Sequence, residues 1–236
     1  MRDASPREDV FWGYLDVALV LGFAVAATFG LSLAGAVLLF SFPALNHYEA
    51  ALLVSMQFAI YAAVYAGLYF TFEIKHGRPV LDSLGWRRSR IGLRIPLLAG
   101  GLLPFLLSAA ITPFHPPKVP TPFDKLLASP VWTWALGVIA VTIGPWMEEL
   151  IFRGLLQPLL SRSLGVVAGV LITAALFGAL HAPEYGFIWE YAVAIGLAGL
   201  AFGAVRAWSG STLASTLMHG MFNLVMFSGF LATRKF

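Results

Sequence analysis

Six polar side chains stand in stretches of chain that offer them little water: Glu148, Glu149, Arg153, His181, His219 and Asn223. An ionisable group inside a hydrophobic span is costly to bury and marks a functional site by default. Glu148 and Glu149 are neighbours, so on one helix their side chains point about 100° apart and must serve different partners. Arg153 follows Glu149 by four residues, the order and spacing at which a carboxylate meets a guanidinium on one helix face. That pairing neutralises Glu149 and leaves Glu148 as the carboxylate available for chemistry. A plainer reading makes all three a charge cluster at a helix end, but the apolar stretch from Val131 that precedes Glu148 argues for a place inside a span. His181 alone reads as an interfacial or hydrogen-bonded histidine. His219 and Asn223 share a helix face, where such a pair can simply join two helices. With an unpaired glutamate on another span, the same residues point instead to a shared polar cavity. Pro145, three residues before Glu148, frees the carbonyl of Val141 and kinks the axis, which is one way to open a wet cavity beside the carboxylate.

The elements that must carry these residues follow from composition. Of the 236 residues 59% are apolar and 11% charged, far from the balance of a soluble domain. Apolar runs of spanning length lie at Tyr14 to Phe40, Glu49 to Phe72, Ile95 to Ile111, Val131 to Leu160, Leu164 to His181, Ile188 to Val205 and Ser211 to Ala232. The third is short. The first is too long for a cleaved signal peptide and lacks a small-residue cleavage site. Backbone polar groups in lipid need internal partners, and runs this long can satisfy them only as helices. The expected fold is therefore all-α: a polytopic transmembrane helical bundle of about seven spans, or eight. No polar linker divides it, so residues 1–236 read as a single integral membrane domain with a motif-bearing core at 131–232. The stretch with His115, Pro116, Pro117, Pro120 and Pro122 favours extended backbone, with a short helix near Phe123 to Ala128. Asp16, Glu49, Glu190 and Arg206 fall near helix ends, where they read as boundary residues reaching the interface.

The cations gather in one loop, Lys75, Arg78, Arg87, Arg88 and Arg90 with Arg94 just beyond, which reads as a cytoplasmic loop and not as a nucleic-acid surface. The chain is then expected in the cell membrane as a multi-pass protein with its N-terminus in the cytoplasm and the loop at Asn46 outside. Arg162 and Arg206 fall inside by the same count, whereas Lys118, Lys125, Arg234 and Lys235 fall outside, against the rule. There is no cysteine, which removes disulfides, thiolate nucleophiles and Cys-bound metals.

Three motifs now stand in order on separate spans. Glu148-Glu149-Leu150-Ile151-Phe152-Arg153 resembles E-E-x-x-x-R, Phe177 with His181 resembles F-x-x-x-H, and His219 with Asn223 resembles H-x-x-x-N. Together with the small-residue stretch Ser209-Gly210-Ser211, they resemble the CAAX-protease and bacteriocin-processing family of intramembrane endopeptidases, also called the Abi family. The resemblance covers roughly the second half of the chain; the first half is similar only in hydropathy. It implies hydrolysis of peptide bonds in membrane-associated or lipidated protein substrates, with no required cofactor. Glu148 would be the general base that activates water, and His181 would help to hold that water. His219 and Asn223 would donate to the developing oxyanion, with Glu149 and Arg153 in support.

Other readings stay open on the residues alone. Glu148, His181 and His219 suffice to bind zinc with an open fourth position, although no H-E-x-x-H string is present. There is no G-x-G-D string either, and Gly30-Leu31-Ser32-Leu33 has no fitting histidine pattern after it. A non-catalytic membrane chaperone or immunity factor would use the same cavity to hold a hydrophobic peptide. A proton or solute transporter would rest on the buried charges alone. One geometric check is tight: with a turn at Ser161 to Ser163, Glu148 lies roughly 20 Å and His181 roughly 27 Å from it along their axes.

Overall fold

The computed structural model describes residues 10–114 and 124–233. Among these the chain is mainly helical and has no strand. In order the helices are α1 (Tyr14–Ser41), α2 (Glu49–Tyr69), α3 (Val80–Ser83), α4 (Arg94–Ile111), α5 (Asp124–Leu127), α6 (Pro130–Val141), α7 (Ile143–Glu149), α8 (Gln157–Leu164), α9 (Val166–His181), α10 (Trp189–Ser209) and α11 (Thr212–Thr233). Seven continuous helical stretches are long and apolar enough to cross a membrane, and the fourth joins α6, α7 and α8 over Pro130–Leu164. The short α5 stands where the sequence suggests a helix after the proline-rich stretch. Those prolines, His115, Lys118 and Phe123, like Arg234 and Lys235, lie outside the described residues.

The fourth span departs most from a simple helix. Pro145 has no N–H for the Val141 carbonyl, and the helix breaks at Thr142, with φ −118° and ψ −80°, instead of bending at the proline itself. Two carbonyls at this break are met by α11: Asn223 Nδ2 donates to Ala140 O at 2.7 Å, and the Val141 carbonyl oxygen lies 2.8 Å from where a Cβ on Gly220 would stand. Beyond Glu149 the backbone widens into a π-helical stretch, Leu150–Leu156, and the Leu155 carbonyl accepts the Trp12 indole N–H at 3.1 Å. The span then ends at Leu164 and turns through Gly165, whose φ of +90° suits glycine. With the turn there and not at Ser161 to Ser163, Glu148 and His181 lie about 25 Å and about 24 Å from it along their helices, and the mismatch disappears.

Helices in lipid gain no hydrophobic driving force from one another, so close approach and internal hydrogen bonds must hold them. A Cβ on Gly100 of α4 would lie 2.3 Å from the Met218 carbonyl of α11, and one on Gly178 of α9 would lie 2.4 Å from the Ala192 carbonyl of α10. These crossings bring backbone against backbone on both sides of the future site. The fourth span is shared by two packed clusters. Met147, Leu150, Leu155 and Leu159 pack with Trp12, Val20, Leu68 and Phe72 from the N-terminal half, while Phe152 packs with Phe177, Phe202 and Met218.

Two residues expected to reach the interface are in fact inside. Asp16 is buried, takes Lys75 Nζ at 2.6 Å and His76 Nε2 at 3.1 Å, and so ties the start of α1 to the end of the second span. Arg206 is buried as well, with Nε donating to Thr212 Oγ1 at 3.0 Å. Both corrections have one cause: a partner brought in by tertiary packing replaces the water that a helix end alone would have sought. The basic loop docks on the small-residue turn, where Arg87 Nε donates to Gly210 O at 2.8 Å and Thr212 N to Gly85 O at 2.9 Å.

Candidate active site

Five of the six singled-out side chains converge. Glu148 sits in the last turn of α7, with His181 at the end of α9 and His219 early in α11. Glu148 Oε2 lies 3.8 Å from His181 Nε2 and 3.9 Å from His219 Nε2. Glu148 and His181 keep part of their side-chain surface accessible, 29% and 20%, whereas His219 keeps 6%. The carboxylate thus keeps accessible surface and is not packed away.

Behind this front stands a sealed charged layer. Glu149 and Arg153 are fully buried and meet at 3.1 Å, Nη1 to Oε1, across one turn. The same Oε1 lies 3.2 Å from His219 Nδ1, and Arg153 Nη2 donates to the Gly199 carbonyl at 2.7 Å. Burial of such a pair is tolerable only when further hydrogen bonds take up its remaining donors and acceptors, and His219 and Gly199 supply two of them. The two adjacent glutamates accordingly point to different layers, one toward accessible surface and one into the protein.

The histidines are oriented from behind. His181 Nδ1 lies 2.8 Å from the Phe177 carbonyl, which can only accept, so Nδ1 carries a proton and Nε2 is the nitrogen turned toward Glu148. This gives the Phe177 and His181 pair part of its meaning. The Phe177 ring supplies the rest, lying 4.5 Å from the His181 ring and 5.7 Å from the His219 ring, with the Arg153 guanidinium 4.6 Å from its centre. On the other side Phe202 stacks on His219 at 4.5 Å. Neither Phe202 nor Gly199 stands out in the sequence, because α10 carries no polar spacing that would single them out. A carbonyl and an aromatic face serve a site without leaving a motif.

Asn223 is one turn beyond His219 on the same helix. Its amide is bonded to Ala140 O at the break between α6 and α7, so it joins the site's support at the position that lets Glu148 approach. A carboxamide nitrogen has two N–H groups, and one of them is engaged there.

Among the described residues no three His, Cys, Asp or Glu side chains are arranged to hold a metal ion. Glu148, His181 and His219 come nearest in chemistry, with Glu148 Oε2 at 3.8 and 3.9 Å from the two imidazoles.

With this geometry in place, the comparison with protein families gives a match to a model described as type II CAAX prenyl endopeptidase, Rce1-like. Residues 130–225 are Rce1-like. The match runs from the start of α6 into α11 and takes in all six polar residues. The three motifs lie inside the matched stretch, which makes up less than half of the chain and sits among seven helices apolar enough to cross a membrane. Residues 1–129 lie outside the match. No curated protein and no solved structure matches the chain.

Proposed function

We propose that this protein is an intramembrane endopeptidase in which Glu148 activates a water molecule against the peptide bond of a membrane-anchored substrate. The observation that carries the reading is the approach of both histidine Nε2 atoms to the same oxygen of Glu148. Separations of 3.8 and 3.9 Å are too long for direct hydrogen bonds and short enough for one water to bridge.

In this mechanism the water donates one proton to Glu148 and the other O–H to His181 Nε2, which leaves an oxygen lone pair for attack on the scissile carbonyl carbon. As the C–O bond forms, Glu148 takes the proton and the carbonyl oxygen becomes an oxyanion. His219 donates to that oxyanion from Nε2, which requires both of its ring nitrogens to be protonated, and Glu149 at Nδ1 supplies the opposite charge for that form. The free N–H of Asn223 is the second donor. When the tetrahedral intermediate collapses, the C–N bond breaks and Glu148 returns the proton to the leaving amine. No step calls on a metal ion. The substrate class follows the family description: a lipidated C-terminal tail, or another peptide held at the membrane.

The test is cleavage of a panel of membrane-anchored peptides, with and without a prenyl group, by protein reconstituted in liposomes. Glu148→Gln is expected to abolish product while leaving the unfolding midpoint unchanged. Wild-type cleavage by Glu148→Gln removes the mechanism. Absence of product with wild-type protein across the panel would favour a holding function for the same site.

A further inference from the structure

Glu148 has two carboxylate oxygens, and the histidines face only one of them. Its Oε1 borders the face of α7 that carries Gly144. A Cβ on Gly144 would lie 3.8 Å from Glu148 Oε1, 3.5 Å from the Tyr61 hydroxyl and 3.2 Å from the Ile139 carbonyl oxygen. Oxygens from α2, α6 and α7 therefore surround the one position on this turn that has no side chain.

The chemistry of that group is one-sided. A carbonyl only accepts, and so does Glu148 in the ionised form that a general base needs, which leaves the Tyr61 hydroxyl as the donor among the three. Tyr61 is partly buried, where a phenolic O–H needs a partner. Gln57 stands one turn earlier on α2, beside the same hydroxyl. An amide N–H donated to the phenolic oxygen leaves the hydroxyl proton to be given elsewhere. The position of Tyr61 is fixed by packing on either side of it. Tyr65, one turn on, stands 5.8 Å from the Trp146 ring of α7, and Val64 and Leu68 share a cluster with Met147 and Leu150.

We propose that Tyr61 is a positioning residue for Glu148. Its hydroxyl holds Oε1 through one water seated over Gly144, and so keeps Oε2 turned to the two histidines. A Cβ on Gly144 would be in ordinary contact with the Tyr61 hydroxyl and Glu148 Oε1 and tight only against the Ile139 carbonyl, so a methyl there would take the place of that water. The inference rests on the proposed endopeptidase reading and extends it to the N-terminal half, which lies outside the family match.

Tyr61→Phe removes the hydroxyl and keeps the ring. In the liposome assay with the same peptide panel, kcat is expected to fall by about tenfold to a hundredfold, the scale of a catalytic group displaced by about 1 Å, with KM and unfolding midpoint unchanged. Gly144→Ala, which puts a methyl between the oxygens, should lower kcat alike, and the double variant should lose no more than either single one. Wild-type kcat in Tyr61→Phe overturns the inference, as does a loss that appears in KM alone, a loss matched by a lower folded fraction, or additive losses in the double variant. Glu148→Gln separates the two levels. If it abolishes cleavage while Tyr61→Phe changes nothing, only the positioning role falls; if it too leaves cleavage intact, the endopeptidase reading falls first.

Discussion

Glu148 and Glu149 are adjacent and chemically identical, yet their surroundings give them opposite duties. Glu149 has no accessible side-chain surface and is held by Arg153 and His219, while Glu148 keeps 29% of its side-chain surface and has no direct ion-pair contact shorter than 3.8 Å. Removing the partner of a buried charge leaves that charge uncompensated, at a cost of about 3–5 kcal/mol. Arg153→Met is therefore expected to destabilise the folded protein by roughly that amount and Glu148→Gln by less than about 1 kcal/mol, the ordinary range for a partly exposed site. Denaturant unfolding in detergent followed by tryptophan fluorescence measures both. An unfolding midpoint for Arg153→Met equal to that of wild type would mean that the charged layer behind the site does not hold Glu149. The i, i+4 relation of Glu149 and Arg153 and the resulting freedom of Glu148 are legible in the sequence because a helix fixes that geometry locally. The Gly199 carbonyl and the Phe202 face are not, since each comes from α10, at a distance along the chain that no spacing rule reaches.

At the level of elements, what matters is how a broken helix is held at its break. A proline at 145 reads from the sequence as a kink, and the freed Val141 carbonyl follows from it. The location of the break at Thr142, the π-helical stretch after Glu149 and the turn at Gly165 do not, because each depends on which neighbour accepts the released backbone groups. Gly220 is the tightest of those neighbours. A Cβ there would stand 2.8 Å from the Val141 oxygen, close enough that backbone has to shift, whereas Gly229 on the same helix has nothing within 4 Å. Gly220→Ala is expected to push α11 away from the break, move His219 relative to Glu148 and lower kcat by about tenfold or more. Gly229→Ala is expected to leave cleavage unchanged and serves as the control for helix propensity, which favours alanine in both cases. Equal activity in the two variants would show that the contact at the break does not set the geometry of the site.

For the molecule as a whole, seven candidate spans are an odd number, which predicts that the two ends of the described chain lie on opposite sides of the membrane. Which side is which rests on the loop carrying Arg78, Arg87, Arg88 and Arg90, which packs against the turn at Gly210 and so marks the same face as the connection between α10 and α11. The positive-inside rule puts that face in the cytoplasm and the loop at Asn46 outside. The absence of cysteine makes the prediction easy to check, because each introduced thiol reports alone. Ser89→Cys is expected to resist a membrane-impermeant maleimide in intact cells and to react once the cells are opened, while Asn46→Cys reacts in both. The reverse pattern would invert the bundle and place the accessible side of the site toward the other compartment, and with it the side from which a lipidated tail must approach. The span count and the all-α class were readable from hydropathy, because lipid leaves the backbone few alternatives. The role of the first half was not, since its contacts with the site, Tyr61 at Gly144 and Trp12 at Leu155, are single side chains whose partners lie far along the chain.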